Sequence, residues 1–171
     1  LDGVGPCATV EPDAWVSSLH ESVLQRAYRK VVEPIRDKAG APGAEASRDD
    51  EGRLSRVTVD SDGDGSSETV AEFWYNDSGL SRFELDEDGD GSTESRIDLW
   101  WTSSGRVSRV ERDGNGDGST DYRVDFWYTS EDSVSRFEID RNGDGRTDQR
   151  VDLWYSSAGH PSRIENDTDG D

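Results

Sequence analysis

Asp86-Glu-Asp88-Gly-Asp90-Gly91-Ser92-Thr-Glu94, followed by Ser95-Arg96-Ile97-Asp98-Leu99-Trp100-Trp101, decides how this chain folds. The first nine residues form an acidic turn, with oxygen-bearing side chains at positions 1, 3, 5 and 9 and glycine at position 6. The residues after it alternate. Ile97, Leu99 and Trp101 fall on one side and Arg96, Asp98 and Trp100 on the other, the period of a strand with one buried face. The same turn stands at Asp60-Ser-Asp62-Gly-Asp64-Gly65-Ser66-Ser-Glu68, Asp113-Gly-Asn115-Gly-Asp117-Gly118-Ser119-Thr-Asp121 and Asp140-Arg-Asn142-Gly-Asp144-Gly145-Arg146-Thr-Asp148. A fifth copy begins at Asp167-Thr-Asp169-Gly-Asp171. The spacing is 26 or 27 residues, too short for a self-contained core, so the repeats must bury their apolar faces together.

Each repeat reads as a short strand, an acidic turn, a longer strand and a polar turn. The longer strands are predicted at 68–75, 94–101, 121–128 and 148–155, and the short ones start near Ser55, Ser81, Ser108, Ser135 and Ser162. The expected fold is mainly β: a nine-stranded antiparallel meander over residues 53–171, with acidic turns on one edge and polar turns on the other. Alternation gives one face to Val57, Val59, Ala71, Phe73, Phe83, Leu85, Ile97, Leu99, Val110, Val124, Phe126, Phe137, Ile139, Val151, Leu153 and Ile164. Tyr75, Trp101, Tyr128 and Tyr155 end that set. The opposite face alternates Trp74, Trp100, Trp127 and Trp154 with Arg56, Arg82, Arg109, Arg136 and Arg163, beside a row of Glu and Asp.

Residues 1–38 form a separate N-terminal segment, within which Trp15, Leu19, Val23, Ala27, Val31 and Ile35 recur every four residues. That spacing predicts an amphipathic helix over 12–38, joined to the repeats by a Gly-, Ala- and Pro-containing linker at 39–52. Nine strands at about 4.8 Å span roughly 40 Å, and a helix of about 25 residues is roughly 37 Å long. The helix is therefore expected to lie across the apolar face with the sheet curled around it. A sheet-on-sheet dimer is the rival cover.

Hard cations such as Ca²⁺ take six to eight oxygen ligands, which a tight loop with carboxylates on alternate residues supplies. The candidate ligands are Asp60, Asp62, Asp64 and Glu68; Asp86, Asp88, Asp90 and Glu94; Asp113, Asn115, Asp117 and Asp121; and Asp140, Asn142, Asp144 and Asp148. The position-7 carbonyls of Ser66, Ser92, Ser119 and Arg146 complete each set. An EF-hand would close with Glu at position 12, where this chain has Ala71, Ile97, Val124 and Val151. Ordinary Asp/Gly turns would explain one such loop, but not four with the same donor pattern. About four Ca²⁺ ions are expected, with a fifth site at Asp167, Asp169 and Asp171 that is shared or incomplete.

The formal charge of -20 argues against nucleic acid and anionic membrane as partners. No apolar run is long enough to span a bilayer. The chain starts at Leu1 and contains no Met, which reads as a processed product or a fragment. Loops of this kind suit millimolar calcium, so a secreted or cell-surface location is expected. Cys7 is the only cysteine, which leaves a free thiol or an intermolecular link. His20 and His160 accompany no nucleophile motif, and an enzyme is not expected. Two further partners stay open: a second copy, joined through edge strands or Cys7 into a fibre or array, and a glycan stacked on Trp74, Trp100, Trp127 and Trp154. Each Trp also has arginines beside it to stack on, which is the simpler use of the row.

The loops at Asp60–Glu68, Asp86–Glu94, Asp113–Asp121 and Asp140–Asp148 resemble the Asp-x-Asp-x-Asp-Gly-x-x-Asp hairpin loops of integrin-type propeller repeats. The strand-turn unit at Leu153-Trp-Tyr-Ser-Ser-Ala-Gly-His-Pro-Ser-Arg163 is similar to the tyrosine-aspartate repeats of bacterial surface and toxin-shell proteins. The resemblance covers residues 53–171. Two strands per unit, rather than four, separate it from a propeller, and Asn76 and Thr129 replace the usual Asp after Tyr. It implies an extracellular bacterial calcium-binding repeat protein and carries no enzymatic activity.

Overall fold

The computed structural model describes residues 43–170. The helix expected at 12–38 lies outside them, as do Cys7 and Asp171. The described chain is one antiparallel sheet in which every strand pairs only with its neighbours in sequence. Its strands are β1 (Ala44–Arg48), β2 (Leu54–Val59), β3 (Thr69–Asn76), β4 (Gly79–Asp86), β5 (Ser95–Trp101), β6 (Val107–Asp113), β7 (Tyr122–Tyr128), β8 (Val134–Asp140), β9 (Gln149–Tyr155) and β10 (Pro161–Asp167). The sheet does not close; β1 and β10 are its two edges.

The nine-stranded meander expected over 53–171 is present as β2 to β10, and the described residues add a tenth strand before it. The extra one, β1, lies inside the 39–52 segment that reads as linker. Ala44 and Ala46 stand opposite Val59 and Val57, so the alternation is present but written in small side chains that carry little strand signal. Gly43, at φ 78°, turns the chain into this strand and accepts the Asp60 amide at 2.9 Å.

The apolar face carries the core. Val57, Ala71, Phe83 and Val124 are fully inaccessible, and the predicted Val59, Phe73, Leu85, Ile97, Val110, Phe126, Phe137, Ile139, Val151 and Leu153 are buried with them. Ile164 stands opposite Leu153 on the same face and is 39% exposed, with a paired strand on one side only among the described residues. Val107 and Val134 join the core unpredicted. Strict alternation would put Val107 and Val110 on opposite faces. A register shift between Trp100 and Trp101 makes room for an unpaired Ser108, and the extra residue restores Val107 to the apolar side. The same irregularity falls at Ser55, Ser81, Ser135 and Ser162.

A second regularity fixes this edge. The Tyr75, Tyr128 and Tyr155 hydroxyls donate to the carbonyls of Leu54, Val107 and Val134 at 2.9, 2.6 and 2.7 Å. Trp101 does the same through Nε1, to the Leu80 carbonyl at 2.9 Å. Each aromatic ends a longer strand and ties down the start of the preceding short strand. The polar turns are closed by backbone bonds such as Thr102 N–H to Arg106 O at 2.7 Å and Ser156 N–H to His160 O at 2.8 Å. One turn, Asn76 to Gly79, is a residue shorter than the others, which accounts for the single 26-residue spacing.

Candidate metal centres on the loop edge

The four complete acidic loops share one backbone. Position 1 organises it: one carboxylate oxygen of Asp60, Asp86, Asp113 and Asp140 accepts the position-4 glycine amide at 2.6–2.8 Å. The other oxygen accepts the position-6 glycine amide at 2.9–3.0 Å. Both glycines sit at positive φ, for example 74° at Gly89 and 90° at Gly91. The position-3 side chains of Asp62, Asp88, Asn115 and Asn142 accept the amides of Asp64, Asp90, Asp117 and Asp144. The closing acids Glu68, Glu94, Asp121 and Asp148 accept the position-2 amides at 2.6–2.8 Å. Ser66, Ser92, Ser119 and Arg146, predicted as carbonyl ligands, each donate an amide to the position-5 carboxylate.

These bonds bring anionic groups together. In the first two loops one carboxylate oxygen from each of Asp60, Asp62, Asp64 and Glu68, and from each of Asp86, Asp88, Asp90 and Glu94, lies within 4.8 Å of the others. Two oxygens on opposite sides of a Ca²⁺ ion are about 4.6–5.2 Å apart, so either set fits one shared ion. The third and fourth loops form no such carboxylate group among the described residues. Asn115 and Asn142 replace a carboxylate there, and the closing Asp121 and Asp148 are one methylene shorter than Glu. Their position-1 acids, Asp113 and Asp140, keep the same amide bonds as Asp60 and Asp86 but are buried, where those two are half-buried. Asp167 of the fifth loop accepts the amides of Asp169 and Gly170, at 3.2 and 3.1 Å. Hydrogen bonds from the Ser92 and Ser119 amides hold the carboxyls of Asp90 and Asp117 below the usual range.

The loops also stack on one another. A Cβ added to Gly89 would stand 1.8 Å from the Ser67 carbonyl oxygen, and Gly116, Gly143 and Gly170 approach Thr93, Thr120 and Thr147 in the same way. Glycine at position 4 is therefore required twice over at Gly89, Gly116, Gly143 and Gly170, by φ and by the preceding loop, whereas Gly63 is required by its φ alone.

The polar face shows the expected Trp row, with Trp74, Trp100, Trp127 and Trp154 at 39–43% exposure. Each stands opposite an arginine: Arg82, Arg109, Arg136 and Arg163. The guanidinium lies 5.9 Å from the Trp100 and Trp127 rings and 4.8 Å from Trp154. Below them, Asp98, Asp125 and Asp152 each bridge two arginines, for instance Arg136 and Arg150 to Asp152 at 2.7 Å each. Burial pushes the Asp152 pKa up, but these two arginines more than offset it and hold the carboxyl below its ordinary value.

No family model matches the chain, and no curated protein matches it. Solved structures of similar fold include a Photorhabdus luminescens Tc holotoxin pore, at 20% identity and a TM-score of 0.55. A complex of TcdB2, TccC3 and Cdc42 is another, at 17% identity and a TM-score of 0.53. Each match covers 73% of this chain and 5% of the other. The likeness is one of fold: β-rich toxin proteins share this arrangement of strands.

Proposed function

We propose that this chain is a secreted or cell-surface bacterial calcium-binding β-repeat module with a structural or adhesive role and no enzymatic activity. One observation carries the reading: the oxygen-only donor sets at Asp60–Glu68 and Asp86–Glu94, each drawn to within 4.8 Å on an edge of a strongly anionic chain. Carboxylates this close repel one another, and a hard divalent cation removes that repulsion while fixing the hairpin end. All-oxygen ligation selects Ca²⁺ over softer transition metals, and the weak loops suit an extracellular supply. The third and fourth loops bind more weakly, each with an Asn in its donor set. Among the described residues no helix is long and apolar enough to cross a membrane.

Calorimetric calcium titration tests the reading on the intact chain and on Glu68→Gln and Glu94→Gln. Saturable binding that weakens in each variant is expected. Absence of calcium uptake by the intact chain would overturn it. A second reading draws on the exposed Trp row and on a groove of about 710 Å³ bounded by Trp127, Arg136 and Trp154. There the module takes an extended glycan on successive indoles, and a change in Trp fluorescence with soluble oligosaccharides is its expected signature.

A further inference from the structure

We infer that Ser95, Arg112 and Gly114 build a site for one carboxylate on the apolar face of the sheet, and that Glu21 of this chain supplies it. The site shows as a break in the repeat. The residue just before a position-1 acid belongs to the apolar face: Val59, Leu85 and Ile139 stand there in β2, β4 and β8, all buried. β6 puts Arg112 in that place, opposite Ile97 of β5 and Tyr122 of β7. Its guanidinium folds back over Gly114, where an added Cβ would stand 2.8 Å from Nη2 and 3.2 Å from Nε. Position 2 of the other loops holds Ser61, Glu87, Arg141 and Thr168. Gly114 has no positive φ to require it. The room it leaves for Arg112 is what a side chain there would remove.

Among the described residues, Arg112 Nε and Ser95 Oγ are buried without a hydrogen-bond partner. They are neighbours. Arg112 pairs with Ile97 and Asp113 with Arg96, so Ser95 falls level with Gly114, on the same side of the sheet as Arg112. Ser95 is 6% exposed. Arg82, Arg109 and Arg136 each hold an acid of the polar face. Arg112 points to the other side and has no such acid among the described residues. A buried donor without an acceptor is costly, and a guanidinium fork matches the two oxygens of a carboxylate.

The acid belongs to a covering segment, because the face is closed to solutes. Val57, Phe83 and Val124 are inaccessible, whereas Trp100 and Trp127 on the opposite face are 43% exposed. Each strand packs on its neighbours in sequence, so the described strands make one layer. One layer does not close its own face. Residues 12–38, with the apolar stripe of Trp15 to Ile35, have the length and chemistry to do so. Distance then selects Glu21. β1 begins at the loop edge, where Gly43 accepts the Asp60 amide. β6 lies five strands further on, about 24 Å away, which is about 16 residues of helix. Glu21 precedes Asp37, near the end of the predicted helix, by that interval. It also continues the line of Leu24, Tyr28 and Val32 on the flank of the stripe. A flank position suits Arg112, which stands at the loop-side margin of the face. Asp13 would fall roughly 12 Å beyond Arg112 and Glu33 roughly 18 Å short of it.

The pair goes beyond the calcium reading and needs no metal, so a double-mutant cycle read by thermal melts of the full chain tests it separately. Glu21→Gln leaves the guanidinium without its carboxylate and should raise the unfolding equilibrium constant by on the order of tenfold or more. Arg112→Leu gives β6 the residue that β4 carries as Leu85. In that background Glu21→Gln should change nothing, and the double variant should melt near the parent. Should Glu21→Gln alone fail to fold, recovery of folding in the double variant carries the same result. Glu33→Gln should act alike in both backgrounds. An unchanged melt for Glu21→Gln, or an equal loss with and without Arg112, would overturn the proposal. Sedimentation under reducing conditions should show that Arg112→Leu leaves the oligomeric state as it is. A dimer that this substitution dissociates would overturn the proposal too, because the acid would then belong to a second copy.

Discussion

The two edges of this sheet close the same strands by opposite means. On the loop edge, hairpins are held by carboxylates that accept backbone amides, such as Asp86 with Gly89 and Gly91, and the first two loops crowd four acids within 4.8 Å. On the turn edge, hairpins are held by neutral bonds: backbone closures and the aromatic donors of Tyr75, Trp101, Tyr128 and Tyr155. The first edge gathers acidic groups that could hold a cation. The second is complete in itself. On the proposed calcium reading, one end of the sheet depends on ions in solution and the other does not.

Removing calcium should break the comparison open most widely. A ligand at a hundred times its dissociation constant adds about 2.7 kcal/mol per site. A chelator should therefore lower the melting temperature, and hydrogen exchange should quicken first at the Gly65 and Gly91 amides. The Thr102, Thr129 and Ser156 amides should hold until global unfolding. Equal loosening of both edges would refute the division.

Within the loop edge, the contrast between the first two loops and the next two can be engineered away. Asn115→Asp with Asp121→Glu gives the third loop the donor set of the second. Its calcium affinity should rise about tenfold, roughly 1.4 kcal/mol, as read by calorimetry.

The turn edge is tested by Tyr128→Phe, which leaves the Val107 carbonyl without its 2.6 Å donor. A loss of about 1–2 kcal/mol in denaturant melts is expected, with calcium affinity unchanged. The same residue gives this edge an alkaline limit. Burial pushes the Tyr128 hydroxyl up from 10.0 to about 12. The folded state then holds this proton more tightly than the unfolded chain does. Its contribution is whole below pH 10 and drains away as pH rises toward 12. Tyr128→Phe should lack that step. The smallest effect belongs to Asp132, which stands at φ 62° where Gly105 and Gly159 occupy the equivalent turns at 77° and 81°. Asp132→Gly should stabilise by about 0.5 kcal/mol, since relief of left-handed strain slightly exceeds the added chain entropy.

Much of this was legible in the order of residues. Alternation in Arg96–Trp101 and its three repeats gave the strands, the meander and most of the core, and the recurring acids gave the loops. Three features were not legible. β1 hid in a segment of Ala, Ser and Glu, because a strand that pairs mainly through its backbone needs no apolar signature. Val107 and Val134 hid behind an unpaired serine, because one inserted residue reverses the parity on which alternation depends. The Tyr and Trp tethers link residues 21 apart, a distance that no local pattern carries.

The sequence alone determined the repeat, the two faces and the chemistry of the loops, since these follow from period-two alternation and from side chains fixed in tight turns. Tertiary structure decided which loops gather their acids within reach of one ion, because a methylene in Glu68 or Glu94 against Asp121 or Asp148 matters only once the backbone holds both ends. It also decided that Val107 and Val134 join the core, because the unpaired serine beside each one turns it to the apolar face.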